Sequence, residues 1–561
     1  MQACSSPPGR SSPVDEAPGG GARRSGSAEA PDRPGTGEPP QTPGGGRFAV
    51  LVGAGILLSR LFGLVRDRVF AHYFGNSWVA DAYRAAFRIP NLLQNLFGEG
   101  SLSASFIPVY ARLRSEEKSD EAHDVASGVL ASLGLLVALV VALGVTFAPA
   151  LVSAIAPGFA GEKRELTVRL VRILFPGAGL LVMSAWCLGI LNSHRRFFLS
   201  YAAPVVWNAV LIAAMIAFGR RAQEELAPTL AWASVAGSAL QFLIQAPVAV
   251  RLVGRLRAGF FLALPSVRTV LRNFLPACLG RGVVQISAFV DELIASLLPH
   301  GAMAALGYAQ TLYLLPVSLF GMSVSAAELP AMSEVQGDPQ NRAATLRERI
   351  GHSLRRIALL VIPSAIGFLA LGDVVVGAIY QTGQFGRADV LYVWAVLAGY
   401  GAGLLAATLG RLYASAFYAL QDARTPLLTA TCRVLIGGGL GAFAALLLPR
   451  WLGWELRWGV AGLSLCAGLA AWIELALLGR FLKRRIGRTG LPMGFVLRLL
   501  VSGLAAAAAA FLLARKVAEL HPILKASLAL PLFGLLYFGL AAALRVEEAR
   551  RLWRRLLRMA R

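Results

Sequence analysis

The sequence predicts an all-α polytopic membrane protein with about fourteen transmembrane helices, and three observations predict it. Of its 561 residues, 56% are hydrophobic and only 15% are charged, where a soluble domain carries roughly a quarter. The apolar residues fall in blocks of about 20 or more, each able to cross a hydrocarbon core of roughly 30 Å. Short arginine-bearing stretches separate the blocks, and their charge alternates from one side to the other. A formal charge of +23 on a soluble surface would point to nucleic acid. In loops between apolar blocks it sets topology instead, so nucleic acid is not an expected partner.

Residues 1–46, with PDRPGTGEPPQTPGGG, hold too little apolar surface to offset their ordering entropy. They read as a disordered cytoplasmic tail, dispensable for insertion and activity, and no apolar h-region with a cleavage site marks them as a signal peptide. Fourteen candidate spans follow. The first six lie at 48–74, 80–110, 124–155, 166–190, 197–218 and 228–252, within a lobe at 47–254. The next six lie at 268–298, 302–332, 355–380, 389–418, 426–448 and 457–482, within a second lobe at 255–487. Two more, at 492–514 and 522–544, occupy 488–545, and 546–561 forms a basic cytoplasmic tail. With both termini inside, the cytoplasmic loops carry about 21 Lys and Arg and the opposite loops about nine, as the positive-inside rule requires.

A short internal repeat supports the two lobes. Pro90, Leu96-Phe97-Gly98 and Pro108 in the second span match Pro316, Leu319-Phe320-Gly321 and Pro330 in the eighth. Parallel six-span repeats with a substrate between them are an established transporter plan.

Charges inside the apolar blocks mark the candidate site, because each costs roughly 2.5–3.5 kcal/mol near the bilayer centre unless it faces a partner or a cavity. The first span carries Arg60, Arg66, Asp67 and Arg68 in SRLFGLVRDR. Arg60 lies about 18 Å into the helix at 1.5 Å per residue, near mid-bilayer. Asp67 falls on nearly the same face, and Arg66 is turned by about 120°. The second span adds Arg84, Arg88 and Glu99, with Pro90 expected to break the helix. Arg281, Asp291, Glu292, Glu328, Arg411 and Arg433 are the deep charges of the later spans. Arginine predominates in the first lobe, and its planar fork suits phosphate oxygens.

Catalysis is not signalled: no Walker A loop, H-E-x-x-H or G-x-S-x-G is present, and the loops are too short for a catalytic domain. The five cysteines (Cys4, Cys187, Cys278, Cys432 and Cys466) are scattered, so no metal site, disulfide framework or cofactor is expected.

SRLFGLVRD, followed by DAYRAAFRIPNLLQNLFGEGSLSASFIPVY, resembles the start of the MurJ (MviN) family of lipid II flippases. These belong to the multidrug/oligosaccharidyl-lipid/polysaccharide exporter superfamily. The likeness continues at APGF (156–159), GILN (189–192), YAQTLYLLPVSLFGMSVSAAELPAMS (308–333) and FYALQDARTP (417–426). The resemblance implies two six-helix lobes in a V around a cationic cavity, with the last two helices forming a groove for a polyprenyl tail. It implies that the substrate is lipid II, the undecaprenyl-diphosphate-linked peptidoglycan precursor, flipped by alternating access in the bacterial cytoplasmic membrane. Carried over residue by residue, the family's cavity residues match Arg60, Arg66, Asp67, Asp81, Arg88 and Glu99. Two departures stand out: Gln94 and Thr311 occupy positions where many members carry arginine, which leaves this cavity less cationic.

Other readings remain beside it: an exporter of another lipid-linked oligosaccharide or a drug, a membrane enzyme acting on the same lipid, or a scaffold. With no nucleotide-binding motif, coupling to an ion or to the membrane potential is expected. Asp291 is the candidate coupling carboxylate.

Overall fold

The structure, a computed structural model, describes residues 45–194, 196–335 and 338–559, all of them helix or connecting loop. The tail at 1–46, but for its last two residues, lies outside the described residues, as do the side chains of Glu99 and Arg281. Val50–Arg561 form a single unit.

Helix α1 (Gly45–Phe74) ends where Gly75 reverses the chain at φ +56°. A Cβ there would meet the Gln384 carbonyl oxygen at 2.8 Å, so the turn requires glycine. The Ser77 hydroxyl then caps α2 (Trp78–Phe97) by accepting from the Ala80 amide at 3.2 Å. Contrary to expectation, α2 runs straight through Pro90 and stops at Gly98, where α3 (Glu99–Ser115) begins. Packed transmembrane helices tolerate an internal proline, whereas a side chain at Gly98 would collide with the Gln94 carbonyl.

α4 (Ser119–Thr146) and the short α5 (Ala148–Ile155) share the span read at 124–155. α6 (Gly161–Ser193), α7 (Phe197–Phe218) and α8 (Gln223–Val253) follow. After α9 (Pro265–Ser296) comes α10 (Ala302–Pro316), a π-helical turn at Val317–Met322, and α11 (Ser323–Ser333). The two Leu-Phe-Gly copies thus fall at the two interruptions, Gly98 between α2 and α3 and Gly321 within the π turn.

α12 (Pro339–Ala370) starts well before the expected 355. Its first half buries Leu346, Ile350 and Leu354 at helical spacing beneath a basic face, a pattern that averaged hydropathy reads as loop. α13 (Gly372–Tyr380), α14 (Arg387–Ala419), α15 (Arg424–Ala442), α16 (Leu448–Leu452) and α17 (Gly459–Ile486) follow. α18 (Met493–Lys516) and α19 (Pro522–Ala543) come next, and α20 (Glu547–Met559) makes a helix of the expected basic tail.

Eleven of the described helices are long and apolar enough to cross a membrane. The count of fourteen is not confirmed: the expected spans at 48–74, 80–110 and 268–298 fall outside that set, and they carry the densest charge. Leu135, Leu139 and Leu143 on α4 are 60%, 56% and 47% exposed, and Leu428 and Leu435 on α15 are 65% and 70% exposed. Stripes of this kind face lipid in a protein of this composition. This is a multi-pass membrane protein.

α6 packs on α2, α3, α4 and α8, and α14 packs on α10, α12 and α17. Gly403 and Gly468 bring the backbones of α14 and α17 into direct contact, the small-residue packing that lets helices approach in lipid. α18 and α19 pack on each other and against α12 and α13, and the Tyr537 hydroxyl donates to the Leu359 carbonyl at 2.8 Å. The two helix sets meet where α9 lies along α3 and α10 crosses α2.

Candidate substrate cavity

α1, α2, α9 and α10, backed by α7 and α8, surround a cavity of about 290 Å³. On α2, Arg84 and Arg88 stand one turn apart on the cavity side, while Ala82, Ala85, Ala86 and Ile89 are buried. α1 contributes Arg66 and Asp67, α9 contributes Glu292, and α10 contributes Gly307 and Thr311.

Arg66 donates to Asp67 Oδ1 through Nη2 at 2.8 Å and Nε at 3.2 Å, and its guanidinium lies 5.1 Å from the Trp207 ring centroid. Thr311 Oγ1 donates to the other Asp67 oxygen at 3.1 Å, tying α10 to α1. Arg88 pairs with Glu292 at 3.1 Å, and Glu292 Oε2 has no hydrogen-bond partner among the described residues. Arg84 lies against the Tyr308 and Phe70 rings, 4.2 and 5.4 Å from their centroids. The cavity therefore offers guanidinium groups and one orphaned carboxylate oxygen to a polar guest within an apolar wall that includes Met215, Leu211 and Leu314.

The sequence-selected residues divide. Arg66, Asp67 and Arg88 line the cavity together. Arg60, two turns before Asp67, is exposed, does not line the cavity and makes no ion pair among the described residues. Asp81 is fully buried away from it, paired with Lys163 at 2.7 Å and accepting from the Gly301 and Ala304 amides at 2.7 and 2.8 Å. It pins the N-terminal ends of α2, α6 and α10 together. Asp291 does not line the cavity; it is half-buried beside Glu292, near Arg433 and Arg88, and Arg433 is itself paired with Glu474 at 3.0 Å. Arg68 donates to the Ala378 and Ile379 carbonyls at the end of α13, both at 2.7 Å.

Gln94 does not line the cavity and Thr311 does. Arg411 is exposed on α14. Arg84 and Glu292, noted only as deep charges, prove to be cavity residues, and the spacing of Arg84 and Arg88 was the available signal. Trp207 and Tyr308 left none, since aromatics in apolar blocks are ordinary core or lipid-facing residues. In QDARTP (421–426), Asp422 accepts from the Arg424 and Thr425 amides at 3.1 Å each and from the Thr425 hydroxyl at 2.8 Å. Those bonds, led by the Thr425 amide, hold its carboxyl below the usual range and start α15.

Comparison with known proteins places this architecture. The profile of the family described as "Lipid II flippase MurJ" matches residues 70–532. The lipid II flippase MurJ of Burkholderia cenocepacia is 31% identical over 450 residues, which cover 78% of this chain and 84% of that protein. The probable lipid II flippase MurJ of Rhizobium meliloti is 32% identical, covering 76% and 78%. Among solved structures, a lipid II flippase MurJ in an inward closed conformation superposes with a TM-score of 0.73 at 24% identity, over 88% of this chain and 98% of that one. An inward-facing multidrug resistance MATE family transporter of the MOP superfamily gives 0.58 at 15% identity, covering 78% and 98%, so the fold is that of this transporter class. The chain belongs to the MurJ family of lipid II flippases.

Proposed function

We propose that this chain moves lipid II from the cytoplasmic to the outer leaflet of a bacterial cytoplasmic membrane, as a transporter and not an enzyme. The observation that carries the reading is the arginine-bearing cavity among α1, α2, α9 and α10, set in a multi-pass helical protein of this family. A lipid-linked diphosphate must cross a region where an unaccompanied charge is costly, and fixed guanidinium groups lower that barrier.

In this proposal the lobes are 47–254 and 255–487, which alternate access to the cavity, and 488–545 shelters the polyprenyl tail. Both termini are cytoplasmic. Arg60 belongs to the substrate's route outside the cavity seen here, Glu99 to substrate binding, and Asp81 to the anchoring of its walls. Coupling to the membrane potential supplies roughly 2.3 kcal/mol per charge per 100 mV, with Asp291 as the residue that senses the coupling ion. Collapsing the potential and the proton gradient together is expected to stop flipping; undiminished flipping would remove the coupling.

Complementation tests the function. A bacterium depleted of its own flippase is expected to grow when it expresses this chain, and lysis with the protein present in the membrane would favour another lipid-linked oligosaccharide as cargo. Thr311→Ala should be mild in this assay. It removes one hydrogen bond to Asp67, worth about 1 kcal/mol, so flipping should fall by less than about tenfold.

A further inference from the structure

Among the described residues, three arginines and two carboxylates line the cavity, a balance of one positive charge. Two of the arginines are committed: Arg66 to Asp67 at 2.8 Å and Arg88 to Glu292 at 3.1 Å. Arg84 is in no ion pair among the described residues, and its buried Nε has no hydrogen-bond acceptor. The Tyr308 ring face holds it, 4.2 Å from the guanidinium carbon, with Phe70 behind at 5.4 Å, and the Tyr308 hydroxyl and Asp67 carboxylate also attract it. Ring faces attract a cation without filling the five-donor fork that guanidinium presents.

The fold makes room for this arrangement. A Cβ at Gly307 would collide with Arg84 Nη1 and lie 2.9 Å from its Cδ and Cζ. Only glycine at that position lets α10 pass so close to α2 with the guanidinium between them. Tyr308, the next residue, is itself fixed, its hydroxyl donating to the Gly75 carbonyl at 2.8 Å. Gly75, Gly307 and Tyr308 together hold one guanidinium in the cavity without a salt bridge among the described residues. A half-buried cation in that state favours an anionic guest.

We propose that Arg84 binds the substrate's diphosphate in this cavity, offering from α2 a guanidinium that no ion pair among the described residues occupies. The neutral Thr311 leaves the facing wall of α10 without a cation of its own. Arg66 and Arg88 set the field on either side, while Arg84, whose Nε is without an acceptor among the described residues, takes phosphate oxygens. This inference rests on the lipid-diphosphate reading above.

The test uses the purified full chain with farnesyl diphosphate as a short polyprenyl diphosphate probe, and farnesol as its uncharged control. Arg84→Met keeps length and ring contact but removes the charge, and should weaken farnesyl diphosphate binding by at least about tenfold. Farnesol binding and thermal stability should stay near wild type. Adding Thr311→Arg returns a guanidinium to the same cavity from α10 and should restore diphosphate binding. Unchanged affinity in Arg84→Met overturns the assignment. So does a loss shared by farnesol and by stability, or a double variant that stays as weak as the single one, since each would make Arg84 a packing residue. If wild-type protein neither binds the probe nor supports flippase-depleted cells, the function reading itself fails; if wild type does both and Arg84→Met matches it, only this inference falls.

Discussion

Arg66→Ala is expected to abolish growth support in flippase-depleted cells while the protein still reaches the membrane. Arg66 is the cation of α1 that faces the cavity, packed over Trp207 and bonded twice to Asp67. Its loss removes one of the three arginines that line the cavity among the described residues and strands the Asp67 carboxylate, which is only 7% exposed, with Thr311 as its remaining donor. Breaking one side of a fully buried ion pair costs about 3–5 kcal/mol, this part-buried pair less, and about 2–3 kcal/mol set against substrate passage already slows it about a hundredfold. Arg66→Lys should recover only part, because an ammonium cannot present two parallel donors. Arg60→Ala is expected to lower flipping at unchanged membrane levels, as the loss of a cation on the same helix at the approach to the cavity. Growth supported equally by wild type and Arg66→Ala would contradict the role given to α1.

Asp81→Ala should act on the protein itself, giving a large drop in membrane level and in the melting temperature of the purified chain. The Asp81–Lys163 pair is among the most buried ion pairs of the described structure, with side chains 0% and 8% exposed. Lys163 Nζ also lies 4.0 Å from the Phe159 ring centroid. Removing the carboxylate leaves an ammonium and two amides without their acceptor, at about 3–5 kcal/mol for the pair and roughly 1–3 kcal/mol for each orphaned donor. Lys163→Met added to Asp81→Ala should restore part of the stability, because the uncompensated charge is then gone. A thermal-shift series on the two single variants and the double variant measures this, and an Asp81→Ala chain as stable as wild type would contradict the anchoring role.

Lipid imposes most of what was legible. Apolar blocks became helices because backbone groups in hydrocarbon must bond within the segment, and charges placed inside them pointed to Arg66, Asp67 and Arg88. Two kinds of feature escaped. Hydropathy averages over a window, so it missed the early start of α12, whose buried Leu346, Ile350 and Leu354 alternate with basic residues. It also missed the break at Gly98, a matter of one glycine's backbone. Partnerships between distant helices leave no local trace. Asp81 read as a cavity residue by resemblance, yet it bonds to Lys163, Gly301 and Ala304, which only the folded chain brings near. Gly307 reads as an ordinary helix glycine until Arg84 is found against it.

The central claim is that a cavity of fixed guanidinium groups carries a lipid diphosphate across the membrane, and surface exposure of lipid II measures it most directly. In cells depleted of their own flippase, lipid II at the outer face is labelled or cleaved from outside, with this chain, its Arg66→Ala variant or an empty vector. The account predicts exposure near normal with the wild-type chain, and exposure at the empty-vector level with Arg66→Ala at equal membrane abundance. Wild-type exposure from Arg66→Ala would contradict it.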